Sequence, residues 1–209
     1  MRVLIADDHP VVRQGLKQIL LADPDLEVSG EAEDGDQALD LARRVEWDVA
    51  LLDFSMPGLH GLELVGELKR EFPSRPVLLL SMHPEGVHAT RVLRAGGSGY
   101  LNKGSTAQEL TSAIRKVASG GKYLSPALAE RLALDLVLET RKPLHESLSD
   151  KEYRIMWMLA SGKSIGRIAR DLSLSPSTVS TFRMRILNKL TLSSNAELVR
   201  YAISHNLVE

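Results

Sequence analysis

Asp7, Asp8, Asp53, Ser81 and Lys103 draw attention because each ends or follows a short apolar run of the 209-residue chain. The runs are Val3–Ile5 before the Asp pair, Val49–Leu52 before Asp53, Val77–Leu80 before Ser81 and Gly99–Leu101 ahead of Lys103. If these runs are strands of one open parallel sheet, the polar residues meet at their carboxyl ends, where such sheets bind ligands. Three carboxylates gathered there repel one another unless a cation joins them. An all-oxygen ligand set selects Mg²⁺ or a similarly hard ion such as Mn²⁺. A lysine ammonium and a hydroxyl beside the carboxylates suit a phosphoryl group better than a metal alone. One strand-end Asp usually does no more than punctuate a turn; the whole set together points to a ligand.

The hydrophobic pattern shows which strands and helices would bring them together. The four runs, with the weaker Glu27–Ala32, do not alternate polar and apolar residues, which fits strands buried on both faces. Helical spacing lies between them. Val12, Leu16, Ile19 and Leu20 form one stripe, with Pro10 near its start, and Leu110, Ile114 and Val117 form another behind a cap at Ser105 or Thr106. Five strand–helix repeats predict an α/β fold with a doubly wound, five-stranded parallel sheet. The alternation stops at Gly120-Gly121. Residues 126–139 read as a connecting helix and 140–149 as a polar linker. Four helices follow, over 150–161, 165–172, 176–190 and 196–205. The expected organisation is therefore a domain over 1–121, a connector over 122–147 and a small all-α bundle over 148–209.

Composition narrows the function classes. With no Cys, thiolate metal sites and catalytic thiols are excluded, and no oxidising compartment is needed. The apolar runs are far shorter than a membrane span, and the N-terminus has no charged-then-apolar leader pattern, so the expectation is a cytoplasmic protein without a membrane partner. The formal net charge of −1 hides an asymmetry: residues 1–124 carry 14 basic and 18 acidic residues, whereas 146–209 carry 9 and 6. Lys163, Arg167, Arg170, Arg183, Arg185 and Lys189 gather within one stretch against the single acid Asp171. An acidic half joined to a locally basic half suggests two tasks, one of them on a polyanion. No Walker lysine pattern, His-Glu-x-x-His or Gly-x-Ser-x-Gly occurs, and Gly96-Gly97-Ser98-Gly99 precedes a strand, the wrong context for a dinucleotide cradle. A phosphatase with a strand-end Asp nucleophile usually has a second Asp two residues on, where this chain has Ser55.

The crevice motifs resemble those of response-regulator receiver domains, whose fold is flavodoxin-like. They are Ala-Asp-Asp-His-Pro at 6–10, Leu-Leu-Asp-Phe-Ser-Met-Pro-Gly at 51–58, Leu-Ser-Met-His at 80–83 and Gly-Tyr-Leu-Asn-Lys at 99–103. The resemblance implies that Asp53 accepts a phosphoryl group from a sensor histidine kinase. It implies that Asp8, Asp53 and the Ser55 carbonyl ligate Mg²⁺ or Mn²⁺, with Asp7 assisting through water. Ser81 and Lys103 would bind phosphoryl oxygens, and Tyr100 would turn inward behind Ser81 as the switch moves. Such a domain is not an enzyme beyond slow loss of its own phosphoryl group. Helix 85–95, with Arg91 and Arg94 facing outward, is an expected output surface, and His9 and His83 border the crevice. Two departures are visible: Gly104 follows Lys103 where many receivers have Pro, and Phe54 replaces a common small or polar residue.

In the bundle, Ser175 is placed to cap a helix with Pro176 in its first turn. Val179, Phe182, Ile186 and Leu190 form the expected core stripe of that helix. At about 100° per residue the opposite face carries Ser177, Ser180, Thr181, Met184, Arg185 and Asn188, a donor-rich surface suited to a major groove. Met184 is suited to a thymine methyl and Arg185 to phosphate or guanine, while Arg183 projects nearer the core. The order of Leu148-Ser-Asp-Lys-Glu152, Gly162-Lys-Ser, Ile168-Ala, Leu172, Ser175, Thr178-Val179, Lys189-Leu190 and Glu197-Leu-Val resembles the LuxR-type helix-turn-helix module. Receiver plus module is similar to the NarL/FixJ group. The resemblance implies a transcription regulator that binds double-stranded DNA, with Thr178 and Lys189 also on the DNA side. It further implies a homodimer when active, held through Leu198, Val199 and Ala202. Ser180, Phe182, Met184 and Gly166-Arg167 depart from the residues common in relatives, so no relative's base preference carries over. The alternative from another class is an adaptor that acts through protein contacts without phosphorylation.

Overall fold

Five runs become five strands: β1 (Arg2–Ala6), β2 (Glu27–Ala32), β3 (Val49–Asp53), β4 (Val77–Ser81) and β5 (Gly99–Asn102). The computed structural model describes residues 1–59, 61–82, 86–126, 128–130, 143–205 and 207–208. All pairings are parallel, in the order β2-β1-β3-β4-β5. Every residue of β3 and β4 is buried, which explains their unalternated Val/Leu sequences. The edge strand β2 fully buries only Ala32. Register brings the carboxyl ends level: Ala6 pairs with Leu52, Asp53 with Leu80, and Ser81 with Asn102. The residues that end or follow those strands therefore emerge along one edge.

The crossover helices are α1 (Pro10–Leu21), α2 (Gly35–Arg44), α3 (Gly61–Glu71) and α4 (Gly86–Arg94), and α5 (Ala107–Ala118) follows the last strand. On one side of the sheet, Val3, Ile5, Val49, Leu51, Leu78, Leu80 and Leu101 pack against Leu16 and Leu20 of α1 and Leu110, Ile114 and Val117 of α5. A capping box fixes the start of α5: the Thr106 side chain accepts from the Glu109 amide, and Glu109 accepts from the Thr106 amide. Helix α4 corrects one expectation. Arg94 is exposed, but Arg91 is only 6% exposed and lies inside with His88, Ala89 and Val92. The buried side of this short helix extends past its apolar stripe and takes in both polar side chains. His83 lies outside the described residues.

The chain divides into two compact units, Met1–Glu130 and Arg131–Glu209. Most of the expected connecting helix over 126–139 falls outside the described residues, and its described residues 126 and 128–130 are helical. Part of the expected linker is structured: Leu144–Ser147 forms a 3₁₀ turn. Its His145 is buried, with the ring Nδ1 3.0 Å from the Tyr201 hydroxyl. Four helices follow, α6 (Asp150–Ala160), α7 (Ile165–Asp171), α8 (Pro176–Lys189) and α9 (Asn195–Ser204). Ser149, Ser164, Ser175 and Ser194 cap them, each accepting from the backbone amide three residues on. Each such cap contributes on the order of 1 kcal/mol. Between α7 and α8 the chain reverses through Ser173 at φ 50°, and the Leu174 amide donates to the Ala169 carbonyl at 2.8 Å. That left-handed residue makes the turn tight enough for Ile168 and Ala169 to share a core with Val179 and Ile186.

Candidate functional site

At the carboxyl edge of the sheet the expected residues converge. Asp7 leaves β1 fully buried; its carboxylate accepts from the His9 amide at 2.9 Å, and its carbonyl accepts from Arg13 of α1 at 2.7 Å. Asp53, at the last position of β3, is 2% exposed and accepts from the Ser55 amide at 3.2 Å. Lys103 reaches in from the end of β5: its Nζ lies 2.7 Å from Asp7 Oδ2 and 3.0 Å from Asp53 Oδ2. Its own amide donates to the Ser81 carbonyl at 2.8 Å, which ties the lysine to the end of β4. Gly104 in place of Pro therefore does not keep Lys103 out of the crevice. Asp8 stands at the mouth, with His9 Nδ1 2.7 Å from its Oδ1. Asp7, Asp8, His9 and Asp53 each offer a ligand atom, and these atoms all lie within 4.8 Å of one another.

Ser81, at the end of β4, and Tyr100, within β5, are buried, and Ser55 is exposed. Tyr100 is thus already inside, where the sequence suggested a side chain that turns inward on switching. Phe54, the departure next to Asp53, is buried and packs edge-to-face on His88 of α4, ring centroids 4.7 Å apart. Sequence reasoning missed Arg13. The available signal was a cation six residues beyond Asp7, one turn into α1, and it braces the loop that carries the acidic pair.

The electrostatics follow from burial. Desolvation pushes the Asp53 carboxyl above its usual range, and neighbouring Asp7 pushes the same way against Lys103 and the Ser55 amide. Burial pulls Lys103 down, but its contacts with Asp7 and Asp53 outweigh this and hold the ammonium above its ordinary value. Lys103 serves Asp7 and Asp53 while Asp8, among the described residues, has only the His9 ring beside it, so the three carboxylates are short of positive charge. Its donors are oxygens of hard carboxylates, and a divalent hard cation fits that set.

In the helical unit, Ser177, Thr181, Met184, Arg185 and Asn188 are exposed along α8, while Thr178 and Ser180 are half-buried. The hydroxyls of Ser177 and Thr178 lie 2.7 and 2.8 Å from that of Ser175, and Thr181 donates to the Ser177 carbonyl at 3.0 Å. The core stripe needs one correction. Leu187 is buried with Val179, Ile186 and Leu190, whereas Phe182 is half-exposed. Lys151 Nζ and the Arg185 guanidinium carbon each lie 5.9 Å from the Phe182 ring centroid.

The basic cluster is also less available than the sequence suggests. Lys163 and Arg167 pair with Asp171 at 2.9 and 3.0 Å, and Arg183 donates to Asn195 at 2.6 Å. Lys189 lies 2.6 Å from the buried carboxylate of Glu152 on α6 and so serves packing between helices rather than standing as a free cation. Although burial pushes the Glu152 carboxyl up, Lys189 and the Ser149 cap prevail and hold it below the usual range. The expected dimer contact is corrected more sharply. Leu198 and Ala202 are fully buried in the core of their own unit and have no surface to offer a second copy, while Val199 is half-buried and Ile203 exposed.

A doubly wound sheet with a lysine-bridged acidic edge, followed in the same chain by a helix-turn-helix bundle, defines the class of response regulators with a DNA-binding output. Residues 3–115 match the response regulator receiver domain and residues 146–202 the luxR family of bacterial regulatory proteins. The chain belongs to this family of two-component transcription regulators, in its NarL/FixJ group. It is 38% identical over 210 residues to the response regulator GacA of Pseudomonas aeruginosa, covering 100% of this chain and 98% of that one. It is likewise 38% identical to UvrY of Escherichia coli K12, over 99% of this chain and 95% of the relative. Among solved structures, RcsB of Salmonella typhimurium superposes with a TM-score of 0.79 at 28% identity, covering 98% of each chain. RcsB bound to the promoter rprA with phosphomimetic BeF₃⁻ superposes at 0.71 and 27% identity, over 98% of this chain and 99% of that one. Among the described residues no helix is long and apolar enough to cross a membrane.

Proposed function

We propose that Asp53 is the phosphoryl acceptor of a phosphorylation-controlled DNA-binding regulator that works in the cytoplasm with a sensor histidine kinase. The observation that carries this reading is the Lys103 ammonium bridging Asp7 and Asp53 inside a cluster of carboxylates. Asp8, Asp53 and the Ser55 carbonyl hold Mg²⁺ or Mn²⁺ in this reading, with Asp7 acting through water. The ion, when bound, offsets charge on the oxygens of the phosphoryl group in transfer. Asp53 supplies the nucleophilic oxygen: a P–O bond forms to its carboxylate as the P–N bond to the kinase imidazole breaks. Lys103 and the Ser81 hydroxyl then hold phosphoryl oxygens.

The added dianion competes with Asp7 for Lys103. The lysine amide is tied to the Ser81 carbonyl, so a shift of its ammonium pulls on the ends of β4 and β5 together. Tyr100, buried behind them, repacks within the core. The reading assigns no turnover beyond slow hydrolysis of the acyl phosphate. Output runs through α8, whose Ser177, Thr178, Ser180, Thr181, Met184, Arg185 and Asn188 meet the major groove, with Lys189 holding the helix in place. With Arg185 the one cation among those residues of α8, one copy gains little from counterion release, and a homodimer on paired half-sites offsets that.

Duplex selection with and without acetyl phosphate and Mg²⁺ tests the reading. The expected result is an enriched sequence bound at least about tenfold more tightly with phosphodonor by the native chain, and not by Asp53→Asn. Failure to enrich any duplex would favour the protein-contact adaptor, and equal enhancement in Asp53→Asn would move the acceptor elsewhere.

A further inference from the structure

We propose that Met184 reads the 5-methyl group of a thymine, so that each half-site contains one thymine recognised by apolar contact rather than by a hydrogen bond. The inference rests on the assignment of α8 as the reading helix and adds the base that it prefers. The buried pole of α8 is Val179, Ile186, Leu187 and Leu190. At about 100° per residue, Ser177, Thr181, Met184 and Asn188 fall around the opposite pole. Met184 is 52% exposed, an apolar side chain held in water in the middle of an otherwise polar surface. It is also braced: Arg183 Nη1 lies 3.9 Å from its sulfur, and the same guanidinium donates to Asn195 of α9 at 2.6 Å.

Several polar groups near it are engaged within the protein. The Thr181 hydroxyl, one turn back, donates to the Ser177 carbonyl, Lys189 holds Glu152, and the Arg185 guanidinium lies toward the Phe182 ring. A base edge brought to this patch meets a thioether and its methylenes. Thymine alone among the four bases presents a methyl group in the major groove, and cytosine in its place would present no methyl for the thioether to cover.

The test uses the full chain and the duplex obtained by selection. Each thymine of the enriched site is replaced in turn by deoxyuridine, which removes the methyl group alone. Burial of one methyl corresponds to about a fourfold change in affinity. The expected result is one position per half-site at which the native chain loses about fourfold, Met184→Leu loses a similar factor, and Met184→Ala loses less than about twofold. An unchanged unfolding midpoint in Met184→Ala confirms that the exposed substitution leaves the fold intact. Indifference of the native chain to every replacement would overturn the proposal. So would equal sensitivity in Met184→Ala, which would assign the methyl contact to Thr181. Failure to obtain any enriched duplex would remove the reading-helix assignment itself, and that outcome is seen before any thymine is replaced.

Discussion

The crevice and helix α8 treat charge in opposite ways. In the crevice, Asp7 and Asp53 are buried with a single lysine between them and Asp8 at the mouth, so negative charge is concentrated where water cannot screen it. On and around α8, Lys163 and Arg167 share Asp171 and Lys189 faces Glu152, while Arg183 and Arg185 lie against the neutral Asn195 and the Phe182 ring. The first arrangement responds strongly to one added cation or phosphoryl group. The second offers a mostly uncharged exposed face, which on the proposed function discriminates by contact. A regulator built this way keeps its sensitivity to charge in one unit and its selectivity in the other.

The largest expected effect follows from removing the lysine of the crevice. Lys103→Met leaves Asp7 and Asp53 facing each other without their shared ammonium, and breaking a buried pair in this manner costs about 3 kcal/mol. Urea unfolding of the metal-free chain is expected to show that loss in the N-terminal unit, with Mg²⁺ restoring more stability in the variant than in the native chain. An unchanged midpoint would mean that the crevice does not concentrate charge as described.

A smaller effect is expected in the helical unit. Lys189 is 42% exposed, so solvent screens its pairing with Glu152, and Lys189→Met is expected to cost about 1 kcal/mol. The pH dependence has a definite sign. Glu152 is held below the ordinary carboxylate range by Lys189 and the Ser149 cap despite its burial. The folded unit therefore binds this proton less readily than the unfolded chain. The stabilisation is complete above the unfolded value of about 4.3 and is lost as pH falls through the lower folded value. In Lys189→Met the acid limb of the stability profile should flatten. A limb of unchanged steepness would show that this pair contributes nothing there.

What could be read from the sequence follows the physics of each region. Strands buried on both faces leave unalternated apolar runs, and the sheet's register then carries Asp7, Asp53, Ser81 and Lys103 to one edge. The helix caps at Ser149, Ser164, Ser175 and Ser194 are local signals of the same kind. Long-range pairings leave no such mark. Glu152 and Lys189 are 37 residues apart, and no periodicity announces that one neutralises the other. Leu187 and Phe182 each fit an apolar position on α8, and only the packing of α6 and α7 decides which is covered. Leu198 and Ala202 read equally well as a dimer seam or as core, and the bundle takes them as core. Charge usually faces water, a rule that puts Arg91 outside and that the buried His–Arg side of α4 overrides.

Locating the phosphoryl group on the chain decides whether the crevice works as described. The full-length protein, treated with acetyl phosphate and Mg²⁺ and then digested, is expected to carry a base-labile label on the peptide containing Asp53. Chelation of the metal or Asp53→Asn should abolish that label. Label on the peptide containing Asp7 and Asp8, or label undiminished in Asp53→Asn, would contradict the assignment.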